Sequence, residues 1–178
     1  MAVLIFEAHS ASLLKFTGYR ECDKMKKWIH WLTLPPVVLV ACAAGMLGTR
    51  YLSAERWQGY FPVLLGAAVL LVLSLAITLS ACLHFFRAGT TLHPQNTQQV
   101  NVLLVDGIFR FSRNPLYLGQ LLLLAAWALL LEGIGVWPWW LLFFAYLQKV
   151  QIPREERFLS ARFGADYTAF CRRVRRWL

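Results

Sequence analysis

The sequence predicts an all-α, polytopic membrane protein with about four transmembrane helices and a C-terminal amphipathic cytoplasmic helical segment. Three observations support this fold class. The chain of 178 residues is 58% apolar, with a mean hydropathy of +0.51. Only 15% of its residues are charged, against about 25% in soluble domains. Its apolar residues also form runs long enough to cross a bilayer, which takes about 20 residues.

Four segments are candidate spans. The first covers about residues 28–47 and contains Pro35 in a Pro-Pro pair, so a kink near its start is expected. The second, residues 60–86, is the longest and most uniformly apolar. The third covers residues 115–131. The fourth, residues 134–152, begins among tryptophans, which is typical of the membrane interface.

A short link and a polar tail complete the predicted architecture. The third and fourth spans are connected within residues 131–135, so they should form an antiparallel hairpin with Glu132 at its water-facing tip. After Pro153, apolar residues recur at helical spacing among arginines, which predicts a tail that lies on the membrane surface or packs on the cytoplasmic helix ends. Gly164 should break this tail into two helices. The apolar stripe consists of Leu159, Phe163, Tyr167, Phe170, Val174 and Trp177.

Residues 1–24 are predicted to be a cytoplasmic or interfacial extension, and residues 25–178 a single membrane-embedded domain. If both termini and the loop of residues 87–113 share one side, that side holds all of the 18 Lys and Arg residues except Arg50 and Arg56. Basic residues collect on the cytoplasmic side, so both termini are expected there. The same rule explains the net charge of +9, and no nucleic-acid partner is expected. The four cysteines are far apart, so we expect no disulfide and no metal.

The strongest candidate site is the start of the third span. Asn114 is predicted to be the N-cap and Pro115 the first helical residue. Because a helix N-terminus attracts anions, and Arg113 adds a guanidinium, this segment suits a carboxylate or a phosphate. One turn later, Tyr117 offers a hydroxyl and Gly119 permits close approach of another group. The alternative is that these residues bind no ligand. In that case Arg113 only orients the chain in the membrane, Asn114 only caps the helix, and Tyr117 only lies at the membrane–water interface.

Two further polar groups are expected on the same side. Glu155 and Glu156 follow Pro153 and suit the first turn of a helix, where negative charge is favourable. Alternatively, one of these carboxylates accepts hydrogen bonds from a ligand close to Arg113. His93, in the loop after the second span, could act as a base or could simply be exposed.

Together these groups resemble the isoprenylcysteine carboxyl methyltransferase family, and its bacterial members in particular. The family pattern G-[IPV]-[FY]-R-[FY]-x-R-[HN]-P-x-Y-x-G is matched by residues 107–119. A second signature combines a Glu-Glu pair, an F-G-x-x-Y segment and a basic tail. Here these are Glu155 with Glu156, residues 163–167 and residues 172–176.

The resemblance covers about residues 25–178 and implies methyl transfer from S-adenosylmethionine to a lipophilic acceptor. It places the cofactor on the cytoplasmic side, and the acceptor enters from the bilayer. Arg113 and Glu156 are the implied catalytic residues, and Thr91 and His93 the implied acceptor contacts. The implied cofactor-binding residues are Phe109, Arg113, Asn114, Pro115, Tyr117, Gly119, Glu155 and Glu156.

Asn114 replaces a histidine of the eukaryotic members and cannot carry charge or shuttle a proton. The sequence therefore indicates the methyl donor more firmly than the acceptor. An isoprenylcysteine-like carboxylate is the first expectation, and a phospholipid or a small thiol is the alternative. Two other interpretations stay open: an NADPH-dependent sterol reductase, which has a similar R-x-P-x-Y-x-G segment, and a non-enzymatic membrane scaffold. The expected location is the bacterial inner membrane.

Overall fold

The computed structural model describes residues 34–53, 60–87 and 103–178. Every regular element in those ranges is a helix, and the ranges contain no β-strand. The all-α class predicted from the sequence is therefore confirmed for this part of the chain. Thr91 and His93, the two implied acceptor contacts, lie outside the described residues.

The chain divides into two compact units, Met1–Val38 and Leu39–Leu178. In the first unit the described residues are 34–38, which form the start of a helix. The second unit holds every contact described below. The predicted boundary between an extension, residues 1–24, and a membrane domain, residues 25–178, falls outside the described ranges and stays a prediction.

Six α-helices occur within the described ranges. They are α1 (Pro35–Leu52), α2 (Phe61–Arg87), α3 (Pro115–Leu131), α4 (Trp137–Tyr146), α5 (Ile152–Phe163) and α6 (Ala165–Arg173). The 3₁₀ turns Gly107–Arg110 and Ile134–Val136 precede α3 and α4, and a π-helical segment, Leu147–Gln151, joins α4 to α5. The predicted third span, residues 115–131, coincides with α3. The predicted second span, residues 60–86, is shifted by one residue from α2.

Helix α1 begins at Pro35, although the sequence predicts a span over residues 28–47 with a kink at this proline. The structure instead places Pro35 and Pro36 in the first turn. A proline is well tolerated there, because the N–H group that it lacks would have no helical partner. The helix continues past the predicted end to Leu52. Residues 28–33 lie outside the described part of the chain.

Helices α1 and α2 are long and apolar enough to cross a membrane, judged by length and composition, and α3 is a shorter apolar helix. Large apolar side chains are exposed along the whole of α2. They include Phe61, Leu65, Val69, Val72, Leu79 and Phe86. A soluble protein rarely exposes so long an apolar face to water, so this surface suits contact with lipid. The count of four spans stays a prediction, because only two of the described helices meet the length criterion.

Helices α2 and α3 pack antiparallel. Toward one end, a Cβ on Gly66 would lie 3.7 Å from Cδ1 of Leu129. Toward the other end, the hydroxyl of Ser74 donates to the carbonyl of Gly119 at 2.8 Å. A Cβ on Gly119 would overlap Oγ1 of Thr78. Gly119 therefore allows the two helices to approach closely.

The hairpin predicted at residues 131–135 is present. Helix α3 ends at Leu131, and Glu132 adopts the left-handed conformation with φ of 49°. The indole N–H of Trp140 then donates to the carbonyl of Leu121 at 2.9 Å. This bond fixes α4 alongside α3 in the antiparallel sense.

The helix that contains the end of the fourth predicted span, residues 134–152, continues beyond that span. Helical structure continues from Trp137 to Phe163 through the π-helical segment. Pro153 has no N–H group to donate to an earlier carbonyl, and the wider turn directly before it accommodates its ring. Pro153 does lie in the first turn of a helix, α5, as predicted. That helix is nevertheless a direct continuation of the preceding one.

The tail packs on the rest of the second unit. Gly164, with φ of 51°, separates α5 from α6 as predicted. The buried cluster beneath the tail consists of Ala81, Phe109, Tyr167, Phe170 and Val174. This cluster connects the tail to the rest of the unit. Side chains of α6, and of the first residue after α6, pack there against the end of α2 and the turn before α3. The tail thus packs on the helix ends, which is one of the two placements predicted for it.

Candidate functional site

The turn before α3 is fixed by a glycine and a histidine. Gly107 has φ of 61°, a conformation that residues with a Cβ rarely adopt. A Cβ at this position would also overlap the ring of His84, whose Nδ1 lies 2.8 Å from the carbonyl oxygen of Ser80. Phe109 packs edge-on against Phe85, with ring centroids 5.6 Å apart. The turn therefore rests on the end of α2 and positions the start of α3.

Arg113 is held through both its backbone and its side chain. Its N–H donates to the carbonyl of Arg175 at 3.1 Å. Its Nη1 lies 3.2 Å from Oε1 of Glu156. The same nitrogen donates to Sγ of Cys171 at 2.6 Å and to the hydroxyl of Tyr167 at 3.5 Å. Its Nε is buried and has no hydrogen-bond partner among the described residues, so this donor is unsatisfied.

Glu156 lies between two guanidinium groups. Nε of Arg176 donates to its Oε1 at 3.1 Å, and Nη2 donates to its Oε2 at 2.6 Å. The side chains of Arg113, Glu156 and Arg176 are 15%, 22% and 29% exposed. Two positive charges and one negative charge thus meet in a partly buried cluster. The remaining positive charge favours an anion at this position.

Asn114 occupies the predicted N-cap position, but its side chain does not cap α3. Its Nδ2 donates instead to the carbonyl of Arg176 at 3.0 Å. The hydroxyl of Ser112 donates to the same carbonyl at 3.4 Å and accepts from the N–H of Asn114 at 3.2 Å. The capping prediction is therefore wrong for the side chain, because its amide is turned toward the tail, where Nδ2 donates to the carbonyl of Arg176, and its oxygen accepts no hydrogen bond from the first turn of α3. The first N–H groups of α3 have no side-chain cap.

A second polar network lies at the junction of α3, the π-helical segment and α5. The hydroxyl of Tyr117 donates to Oε1 of Glu155. Nε2 of Gln151 donates to the same carboxyl oxygen at 2.7 Å and to the hydroxyl of Tyr117 at 3.2 Å. The hydroxyl of Tyr146 donates to Oε1 of Gln151 at 3.2 Å. The network thus surrounds one carboxyl group with neutral donors.

Burial raises the pKa of Glu155, because a low-dielectric surrounding disfavours the charged carboxylate. The neighbouring Glu156 acts in the same direction. Hydrogen bonds from Tyr117 and Gln151 oppose the shift, but burial is the larger effect. Glu155 therefore holds a proton more readily than an exposed glutamate does. A cationic ligand could take the place of that proton.

The structure brings together most of the candidate residues, although they come from two distant signatures. Arg113 meets Glu156, and Tyr117 meets Glu155. Pro115 is buried as the first residue of α3. Two candidates have other neighbours: Gly119 faces α2, and Phe109 lies in the cluster under the tail. Among the described residues, no group of three or more His, Cys, Asp or Glu could hold a metal ion.

Sequence reasoning missed several members of the two networks. The sequence indicates only that Arg176 belongs to a basic tail, yet its side chain donates two hydrogen bonds to Glu156. Gln151 precedes Glu155 by four residues, which places the two on one helix face. That spacing of two polar residues could have indicated the network. Nothing in the sequence indicates that Cys171 lies against Arg113.

Comparison with known proteins gives one family and one relative. A family model described as phospholipid methyltransferase matches residues 62–166, more than half of the chain. This region runs from the start of α2 into α6 and contains both Arg113 and the glutamate pair. An uncharacterized protein of Haemophilus influenzae is 40% identical over 63 residues, which are 35% of this chain and all of that relative. No solved structure matches the chain.

Proposed function

Because the chain belongs to the phospholipid methyltransferase family, we propose that it transfers a methyl group from S-adenosylmethionine to a lipophilic acceptor in the membrane. The family consists of membrane methyltransferases and lies within the isoprenylcysteine carboxyl methyltransferase-like superfamily. The single observation that best supports the proposal is the junction of two networks, in which Arg113 and Tyr117 of one signature meet Glu156 and Glu155 of the other.

The cluster around Arg113 suits the carboxylate of the cofactor. It has an excess of positive charge, and Nε of Arg113 is a buried donor with no partner in the described part of the chain. The uncapped N-terminus of α3 adds backbone N–H groups and the positive end of a helix dipole. We assign carboxylate binding to Arg113 and to the start of α3. Pro115 has no N–H group and the N–H of Asn114 donates to Ser112, so these two residues position the helix end and leave donation to the N–H groups that follow. Glu156 and Arg176 are positioning residues that keep the guanidinium in place.

The network around Glu155 suits the cationic and hydroxyl groups of the cofactor. The carboxyl of Glu155 can accept hydrogen bonds from an ammonium, and a positive charge beside it would offset the effect of burial on its pKa. Tyr117 and Gln151 hold this carboxyl through hydrogen bonds. The two networks lie side by side because Glu155 and Glu156 are consecutive on α5. One site can therefore bind a ligand that has both an anionic and a cationic end.

S-adenosylmethionine supplies an electrophilic methyl group on a sulfonium. The residues of this chain hold the reacting groups in line and exclude water from them. Both effects matter most in an in-line displacement. The ring of Tyr117 is an electron-rich surface next to the anion site, suited to a cation. Phe109, the second aromatic residue considered for this role, packs against Phe85 and the tail cluster. We assign Phe109 to support of the tail, and Gly119 to packing of α2 on α3.

The acceptor is proposed to enter from the bilayer. The sequence resemblance favours an isoprenylcysteine-like carboxylate, the family description favours a phospholipid, and a small thiol is a further alternative. A carboxylate needs no general base, whereas a thiol or an ammonium must first lose a proton. Thr91 and His93 stay proposed acceptor contacts, and both lie outside the described residues.

The proposal is tested by methyl transfer from labelled S-adenosylmethionine. Purified protein in lipid nanodiscs is incubated with the labelled cofactor and a bacterial lipid extract, and the labelled product is identified. Arg113→Ala removes a charge-assisted donor worth about 1.5–3 kcal/mol, so kcat/KM for the cofactor should fall about 10- to 150-fold. Arg173→Ala, at an exposed position of α6, is the matched control and should retain activity. No labelling of any lipid or thiol, or equal labelling by Arg113→Ala, would refute the assignment.

A further inference from the structure

Gln120 is a polar residue in an otherwise apolar stretch of α3, and no hydrogen bond to its amide oxygen in the described part of the chain accounts for it. Its Oε1 is buried and has no hydrogen-bond partner among the described residues. All eleven positions after it in α3 are apolar. Within a bilayer no water is available to such an oxygen, and leaving it unpaired costs stability. A leucine would fill similar space without this cost, so packing alone does not account for an amide here.

The position of Gln120 relates it to the proposed cofactor site. It follows Tyr117 by one helical turn, which is about 4.5 Å further along the helix axis and about 60° around it. Tyr117 marks the face of α3 that meets the Glu155 network. Leu123 lies about 60° further round in the same direction, and its side chain is 39% exposed. Gln120 therefore lies between the proposed cofactor site and a face that is open to the surroundings of the protein.

We infer that Oε1 of Gln120 accepts a hydrogen bond from the polar head of the methyl acceptor, which makes Gln120 a specificity-determining residue. The inference rests on the proposed function, because an acceptor exists only if the protein transfers a methyl group. A carbonyl oxygen pairs with an N–H, O–H or S–H donor and repels a carboxylate. The buried atom without a partner is the amide oxygen and not the NH2 group. This oxygen therefore favours an acceptor that carries a donor, such as the amine of a phospholipid head group, over an isoprenylcysteine-like carboxylate.

Thermal unfolding in micelles of short-chain phosphatidylcholine gives a test that does not depend on catalytic turnover. Phosphatidylethanolamine, which has N–H donors where phosphatidylcholine has none, should raise the unfolding midpoint of the wild type. Gln120→Leu should remove this shift without lowering the midpoint measured in phosphatidylcholine alone. Gln120→Glu keeps acceptor oxygens and removes the donors of the amide, so it should keep the shift. Gln148→Leu is the matched control. Its amide is already paired with the indole N–H of Trp177 at 2.9 Å, so the variant should respond to phosphatidylethanolamine as the wild type does.

Kinetics separate this inference from the proposed function. Gln120→Leu should raise KM for phosphatidylethanolamine about 10-fold, which corresponds to about 1.4 kcal/mol, and should leave the Kd for S-adenosylmethionine unchanged. The role of Gln120 is overturned if the variant keeps both the lipid-induced shift and the wild-type KM. It is also overturned if N-acetyl-S-farnesylcysteine stabilises the wild type and phosphatidylethanolamine does not. A wild type that binds no S-adenosylmethionine would instead refute the proposed function, and the inference with it.

Discussion

At the scale of single residues, Glu155 and Glu156 are neighbours with different surroundings. Consecutive residues on a helix point about 100° apart, so the two carboxyl groups reach different partners. Glu156 lies between the guanidinium groups of Arg113 and Arg176. Glu155 is partly buried beside the neutral donors Tyr117 and Gln151. One glutamate therefore belongs to an ion-pair cluster, and burial raises the pKa of the other.

The raised pKa of Glu155 leads to a prediction about pH. Protonation of this carboxyl favours the folded state, so its contribution is fully present below the unfolded pKa of about 4.3. The contribution is lost as pH rises through the higher folded pKa. The unfolding midpoint of the wild type should therefore fall relative to that of Glu155→Gln as pH rises from about 4 to about 8. Arg173→Ala should follow the wild type. A wild-type-minus-variant difference that is constant over this range would contradict the prediction.

The sequence predicts individual residues well where short-range geometry decides their role. Pro115 begins α3 and Gly164 ends α5, each for a reason that its own chemistry supplies. Gly119 does permit a close approach, but the group that approaches it is α2, whereas the sequence suggested a ligand. The partners of Arg176 and Cys171 could not be predicted in this way. Arg176 is 20 residues from Glu156, and Cys171 is 58 residues from Arg113. Only the packing of the tail brings these pairs together.

At the scale of elements, the contact between α2 and α3 depends on a glycine. Gly119→Ala would place a methyl group on Oγ1 of Thr78 and close to the backbone of Ser74. Overpacking of this kind costs about 1–3 kcal/mol, so the free energy of unfolding should fall by that amount. Thr78→Ala removes the obstructing hydroxyl. The double variant should therefore recover part of the loss, which a double-mutant cycle in denaturant would measure.

Gly48 provides the matched control for this prediction. It also lies in a helix, α1, but a Cβ on Gly48 would meet nothing within 4 Å. Gly48→Ala should therefore leave stability unchanged or increase it by up to about 1 kcal/mol, since alanine is the better helix former. Equal effects of Gly48→Ala and Gly119→Ala, or strict additivity of Gly119→Ala with Thr78→Ala, would contradict the proposed close contact.

The junction between α4 and α5 is the element that the sequence predicted least well. Apolar periodicity ends near Ile152, and Pro153 suggests a boundary, so the tail was expected to begin as a separate helix. The π-helical segment Leu147–Gln151 instead carries the helix past the proline. This continuity matters for the site, because Gln151 and Glu155 then lie on one rigid helix beside Tyr117. A pattern of apolar residues does not distinguish a π-helical turn from an α-helical turn.

At the scale of the whole molecule, the proposed orientation follows from the distribution of basic residues. Both termini should face the cytoplasm of a bacterial inner membrane. In a variant without native cysteines, a membrane-impermeant maleimide should label Ser53→Cys, in the segment after α1, from outside intact spheroplasts. Arg173→Cys, on α6, should be labelled only after the membrane is opened. The reverse pattern, or labelling of both positions from one side, would contradict the proposed topology.

The central claim is that the two joined networks bind S-adenosylmethionine, and equilibrium binding to the purified protein in nanodiscs tests it most directly. Titration calorimetry should show binding of S-adenosylmethionine to the wild type and no binding of NADPH. Arg113→Ala should raise the Kd about 10- to 150-fold, as expected for a lost charge-assisted hydrogen bond, and Arg173→Ala should not. Affinity for NADPH without affinity for S-adenosylmethionine would contradict the account and favour a reductase. An unchanged Kd in Arg113→Ala would remove Arg113 from the site.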